Sequence, residues 1–561
     1  MTARPVLLAF LAGALVVGLI ATSMAAVVSA RRAAEHERRV DELTAEVAEL
    51  RAEVERLEAE GGGGLDGLLD GLLGDGGGDL GGLLDGLLGG GGDGLDGLLD
   101  GLLGGVSGEI PGVRCMTPGG GGLDGMLDGL LGGGDGGDLG GLLDGLLGGG
   151  DGGDLDGLLG GLLGGDTDGD DTDGDDTATT DDPEDVVDVI AEQVATMREL
   201  DFTHDVEVAF LDDAALAAEL DQILDESLDR EELAAQTAIL VGLRAIPRDA
   251  DLEQLSRDLL ESQVAGFYSP EDERLVVRTP DGDQLRPIDR ITLAHELEHA
   301  LVDQTIGLPD LDDGLDADAA LARLSVIEGD ATLLMNLWTL EHLSFSEQIG
   351  LAGSADFAEQ QAQLEAFPHY LARELLFPYT AGLDLICDRW LEGGWGAVDA
   401  SYADPPTTTA GVLFPERADE RAASPPSLNA PRGGTERLQD TFGAAPLAWL
   451  FEAPGGDDDA ALSEPMERAA AWAGGAVHLW DVGGDPVVGL ALTDRQAGDP
   501  ALCASVTDWY AAAAPKARRS GSGDEVRFTG DTTAVVRCEG DAVRLAIAPD
   551  ESIAAAVVGA R

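Results

Sequence analysis

The chain has 561 residues, 81 of them glycine, and a formal net charge of −75. With Lys516 the only lysine, that balance argues against nucleic acid and anionic lipid headgroups as partners, because phosphate binding needs clustered cations. Four cysteines, Cys115, Cys387, Cys503 and Cys538, are too few for a disulfide-built fold and lack the paired spacing of a zinc ribbon, so any core is hydrophobic.

Residues 6–30 are almost wholly apolar or small, long enough to cross a bilayer as a helix and longer than the core of an ordinary signal peptide. The expectation is a single-pass anchor over residues 1–30. Arg31, Arg32, Arg38 and Arg39 follow the span and only Arg4 precedes it, which by the positive-inside tendency would hold the bulk of the chain in the cytoplasm. The reading adopted is nonetheless an extracytoplasmic domain, secreted if the segment is cleaved at the small residues near Ala25 or Ala30. Residues 31–60 follow as a short coiled coil. Val40, Leu43, Val47, Leu50, Val54 and Leu57 alternate spacings of three and four, with β-branched residues at a and leucine at d, the pattern of a parallel homodimer over 40–57.

Residues 61–182 are low in complexity, built from near-copies of GGLDGLLDGLLGG and broken once between Val106 and Pro118. Ordering so much glycine costs entropy, so a flexible linker is expected. The windows starting at Gly61, Gly91 and Gly119 fit a calcium-binding β-helix nonapeptide, but not in tandem, and a β-helix needs stacked turns. The acidic run from Asp166 matches an EF-hand loop only in its first residues, since Thr177 stands where a glutamate is required.

Residues 183–561 regain aromatics, arginine and spaced apolar positions over a length sufficient for a substantial core. The pattern predicts a helix over 184–200, a strand over 206–211, three helices between 214 and 261, and a hairpin of 264–268 with 275–278 across Ser269-Pro270-Glu271-Asp272. Helices are expected from 288 to 391, followed by an irregular stretch to 434 and further helical segments. A second hairpin, 477–482 with 487–492, then leads to a helix over 500–514 and strands at 526–528, 533–538 and 543–547. The fold class is α+β, mostly helical, with small hairpins and an α+β C-terminal part. A disulfide between Cys503 and Cys538 is expected from the pairing of that last helix with a strand.

Within ITLAHELEHALVDQ, His295 and His299 are four apart, so on a helix both imidazoles project from one face at a separation suited to a single tetrahedral ion. Glu296, about 100° round the helix, is poorly placed to join them on the ion but can reach a water bound there. Ile291, Leu293, Leu297, Ala300 and Leu301 predict that this helix is buried. A catalytic zinc commonly takes a third protein ligand. Glu328 lies on an apolar stripe with Ala320, Leu324, Ile327, Ala331 and Met335, where an ionised carboxylate is costly unless a metal neutralises it. Gly329 beside it weakens the helix, which makes sense if another helix must approach closely there. His342 and His369 are the competing third ligands. Asp303, one turn beyond His299, is a candidate to orient that ring or is merely solvated. Tyr379, Tyr268 and His369 are candidates to donate to an oxyanion.

HELEHALVDQ together with IEGDATLL resembles the gluzincin zinc metallopeptidases, and more narrowly bacterial and archaeal metalloproteases carrying HELxHALxDQ. The likeness runs from about Val186 to the C-terminal strands and includes VAGFYSPEDERLVV, FPYTAGLDLI and GGWGAVDASYADPPTTT. It implies a zincin-like domain with Zn2+ held by His295, His299 and Glu328, and Glu296 as the catalytic base. One departure stands out: where relatives continue Pro-Pro-Thr with a Glu-Gln pair and later a histidine, this chain has Ala410, Gly411 and Phe414. The function implied is hydrolysis of peptide bonds in a peptide or protein substrate by a membrane-tethered enzyme. The rival is a surface-displayed adhesion or scaffold protein whose protease-like domain only binds.

Overall fold

The computed structural model describes Cys115 and residues 183–560, apart from most of 256–265 and 353–365 and all of 279–284, 312–313 and 497–500. The expected anchor, coiled coil and repeats lie outside these residues, Cys115 excepted. Among the described residues no helix is long and apolar enough to cross a membrane.

The helices in chain order are α1 (Pro183–Arg198), α2 (Asp213–Ser227), α3 (Arg230–Gly242), α4 (Pro287–Thr305), α5 (Ala317–His342), α6 (Phe345–Ala352), α7 (His369–Gly393), α8 (Trp395–Ala403), α9 (Thr409–Leu413), α10 (Ala444–Glu452), α11 (Pro465–Ala469), α12 (Ala501–Ala513) and α13 (Glu551–Val558). Strands β1 (Glu207–Leu211), β2 (Gly266–Ser269) and β3 (Arg274–Arg278) form one sheet in the order β1-β3-β2. The strands β4 (Thr435–Thr441), β5 (Trp472–Val482), β6 (Asp485–Asp494), β7 (Arg518–Ser522), β8 (Glu525–Thr529), β9 (Thr533–Glu539) and β10 (Ala542–Ala548) form a second, in the order β4-β5-β6-β10-β9-β8-β7. The class is α+β, as expected.

Helix α4 is the axis of the helical part. It opens with Pro287 at its first position, where a missing N–H costs nothing, and Asp289 accepts from the Arg286 backbone N–H at 2.8 Å. Every residue from Ile291 to Val302 is buried, so the helix has no solvent face. Helix α5, capped by the Asp316 side chain on the Ala319 N–H, runs beside it. Helix α7 then packs on α5 with almost no space between backbones: a Cβ added at Gly329 would lie 2.4 Å from the Gly382 carbonyl oxygen, and one at Gly382 2.3 Å from that of Ser325. This is the close approach that Gly329 suggested.

In the small sheet β2 and β3 form the expected antiparallel hairpin, while β1 pairs parallel with β3. Phe267 and Val276 face Leu216, Leu220 and Leu224 of α2, whereas Leu275 and Val277 join the main core. The seven-stranded sheet shows the same alternation. Val536 and Leu545 point into the main core, and Val535 and Ala546 pack under Ala554 and Val557 of α13. Gly483 and Gly484, with φ of +70° and +96°, turn β5 into β6 as the glycine pair required.

Several elements differ from the sequence reading. Strands β4 and β7 and helix α13 were not expected, and the stretch taken as irregular from 393 to 434 contains α8 and α9. TERLQDT and RRSGS carry no apolar alternation because they close the two edges of the sheet and are exposed along much of their length. Cys503 is joined to Cys538 as expected, and Cys115 is joined to the buried Cys387 of α7, a pairing that the sequence reading did not contain.

Candidate metal centre

One turn of α4 separates His295 from His299, and their rings meet edge to face with centroids 4.7 Å apart. Their Nε2 atoms are 3.1 Å apart, and Glu328 Oε2, carried in from α5, is 3.2 Å from the first and 3.4 Å from the second. Ligand atoms bound at ~2.0–2.1 Å to a tetrahedral ion lie about 3.3–3.4 Å apart, so the three form one face of such a coordination shell. They are at most 1 % exposed. Among the described residues they are the group of histidines, cysteines and carboxylates whose ligand atoms converge closely enough to hold a metal ion.

Electrostatics suit that role. Burial draws His295 down to about 4, against the pull of Glu328, so this ring is neutral and keeps a lone pair at physiological pH. Burial alone would raise Glu328, but the His299 and His295 imidazoles outweigh it and bring the carboxyl to about 2. His299 is held above its usual value because the carboxylates of Glu328, Glu296 and Asp330 outweigh burial. A divalent cation between these groups would displace the proton on His299 and neutralise Glu328.

Glu296 lies beside this triangle. Its Oε2 accepts the Tyr268 backbone N–H from edge strand β2 at 2.9 Å, while Oε1 is buried without a hydrogen-bond partner. Burial raises this carboxyl to about 8, the range of a group that can both take and return a proton near neutrality. Tyr379 of α7 lies with its ring centroid 6.3 Å from that of His295, and its hydroxyl hydrogen-bonds Glu328.

Other candidates fall elsewhere. Asp303 accepts the Tyr268 hydroxyl at 2.9 Å, so it braces β2 against α4, and the carboxylate near His299 Nδ1 is instead Glu298, at 3.7 Å. That bond also commits the Tyr268 hydroxyl away from the metal centre. His342 packs against Trp338, with centroids 5.5 Å apart, and His369 pairs with Glu452 at 3.1 Å, so neither is a third ligand. Ala410 and Gly411 are buried in the short helix α9, whose Thr409 is bonded to Asp318. Asp318 is ten residues before Glu328, or roughly 15 Å along α5.

The sequence reading missed the charged residues behind the centre: Arg198, Glu298 and Asp330, all 0 % exposed. A signal for the first was present, because Val187, Ile190 and Val194 form the buried stripe of α1 and Arg198 is its next member. Glu298 was masked because α4 is buried on every side.

Comparison of the chain with protein-family models, with curated proteins and with solved structures finds no match. Nothing beyond the residues themselves therefore ties the chain to a family.

Proposed function

We propose that the chain is a zinc-dependent metallopeptidase of the gluzincin type, with His295, His299 and Glu328 holding the ion and Glu296 acting as general base. The observation that carries this reading is the triangle of two imidazole nitrogens and one carboxylate oxygen at tetrahedral edge lengths, with a second buried carboxylate alongside. Nitrogen and oxygen donors in this number favour zinc, which leaves a coordination position open. When bound, zinc supplies an acidified water and polarises a substrate carbonyl. The chain's own residues do the rest. The Tyr268 N–H fixes one oxygen of Glu296, so the other takes a proton from the attacking water and returns it to the leaving amine. Tyr379, whose hydroxyl bonds Glu328, is the remaining candidate to donate to an oxyanion once an ion has taken that carboxylate.

The wider setting belongs to the same proposal. The segment 6–30 anchors the chain, 40–57 pairs it with a second copy, and the repeats carry the domain away from the bilayer. The two disulfides support an extracytoplasmic location, since such bonds persist in oxidising compartments.

The rival reading, a scaffold that binds without cleaving, draws support from the near-complete burial of all four residues of the centre and from the departure at Ala410, Gly411 and Phe414. One experiment separates the two. The purified full chain is expected to hold one zinc and to cleave unstructured peptides, with Glu296→Gln lowering turnover by about 10²–10⁴-fold while zinc content stays the same. Zinc without cleavage in the wild type would select the scaffold; absence of zinc would end the metallopeptidase reading and leave the scaffold.

A further inference from the structure

A second knot of buried charge lies directly behind the metal centre. Arg198, the last residue of α1, is fully buried with its guanidinium over the Trp395 ring, 4.6 Å from the centroid. Its Nη2 donates to Asp330 at 2.9 Å and to Asp399 at 2.7 Å, and its Nε lies 3.6 Å from Glu298 Oε1. The Tyr402 hydroxyl donates to the same oxygen of Asp330 at 2.9 Å. The other oxygen of Glu298 faces His299 Nδ1 at 3.7 Å, and that ring presents Nε2 to Glu328 at 3.4 Å. Four helices, α1, α4, α5 and α8, thus meet at one arginine, and one branch of the network runs through Glu298 to a ligand of the metal centre.

We propose that Glu298 is a positioning residue for His299: with an ion in the centre its side chain accepts a hydrogen bond from Nδ1–H and so fixes the tautomer that leaves Nε2 free for the ion, while Arg198, braced by Asp330, holds Glu298 in place. The inference rests on the reading of the metal centre but not on hydrolysis. A purely structural arginine staple does not explain the arrangement. Arg198 is already bonded to Asp330 and Asp399, and burying a further carboxylate beside it is costly unless the second oxygen is also used. Neither oxygen of Glu298 has a hydrogen-bond partner at these distances; closing the 3.7 Å gap to Nδ1 when an ion binds would supply one, and such outer partners raise the basicity of a ligating imidazole as well as orienting it.

The test uses the full chain and zinc itself, with affinity read by competition against a chromophoric chelator. Glu298→Leu is expected to bind zinc about 10–100-fold more weakly, and Glu298→Gln, whose amide oxygen still accepts from Nδ1, to recover most of that loss. Tyr402→Phe, which removes one donor from Asp330 but leaves Arg198 bonded to Asp330 and beside Glu298, is expected to leave affinity unchanged. Equal affinity in the wild type and Glu298→Leu, or a parallel loss in Tyr402→Phe, overturns the role given to Glu298. A wild type that takes up no zinc overturns the metal centre itself, and this inference with it. Should Glu298→Leu not fold, cobalt-loaded Glu298→Asp, which keeps the charge but draws it back from Nδ1, decides: a shifted visible spectrum and faster metal release support the proposal, and wild-type values for both overturn it.

Discussion

Around α4 and α5 the protein buries His295, Glu296, Glu298, His299, Glu328 and Asp330 with at most 1 % exposure, whereas the interior of the seven-stranded sheet is made of residues such as Val488, Leu490, Leu492, Val536, Leu545 and Ile547. Both regions exclude water, but the helical one concentrates buried charge at one place, whereas at the sheet Asp494 and Arg417 are buried singly with backbone partners. The sheet and the helices on it can be understood mainly from apolar area and strand pairing. The helical region cannot, because each buried ionisable group there opposes folding unless a partner compensates it. Arg198 compensates part of the acidic excess. The remainder collects at Glu328 and Glu296, where the geometry suits a divalent ion. Such a concentration of buried charge is the reason the proposed function is placed in the helical region.

The contrast can be broken by experiment, and the largest effect expected is that of the ion. Zinc at about a thousand times its dissociation constant should stabilise the protein by about 4 kcal/mol over the chelator-treated form. Hydrogen exchange should show the added protection in α4 and α5 and little in β5 to β10. Protection spread evenly over both regions would deny that they differ. Next comes Leu490→Ala in the sheet. It should cost about 3 kcal/mol by cavity formation, measured by urea unfolding, and leave zinc affinity as it was.

A smaller effect, of opposite sign, is expected at Asp318. Burial raises its carboxyl to about 7, against the donors of Thr409, so the unfolded chain ionises from its ordinary value of 3.8 while the folded one does not. The stability associated with the protonated folded form is complete below pH 4 and drains away as the pH rises toward 7. Asp318→Asn should remove that slope, gaining on the order of 2 kcal/mol on the wild type at pH 7 relative to pH 4, as read from urea midpoints. Parallel curves for the two proteins would show that Asp318 is ionised throughout. The smallest change is Tyr268→Phe. Loss of the bond to Asp303 should cost about 1 kcal/mol, while the backbone N–H that holds Glu296 survives, so turnover should fall little.

The candidate metal centre was largely legible because its signals are local. Two histidines one turn apart and a carboxylate on an apolar stripe are each visible within a few residues, and Gly329 marked the place where α7 crosses α5. For Asp303 helical spacing leaves open a role beside His299 or exposure to solvent, and the structure gives its carboxylate to the hydroxyl of Tyr268 from β2. Strands β4 and β7 were missed because an edge strand exposed along much of its length leaves little alternation to read.

Helical periodicity and residue chemistry by themselves determined that His295, Glu296 and His299 share one buried helix and that Glu328 needs a counter-charge, since these follow from the fixed rise and turn of an α-helix and the cost of burying ions. Only the tertiary structure decided that Arg198 and Asp330 would meet Glu298, that Cys115 would join Cys387, and that β1 would lie parallel to β3. Those contacts link residues far apart in the chain, and which of many chemically equivalent partners meets which is fixed by how whole helices and strands pack, not by any local pattern.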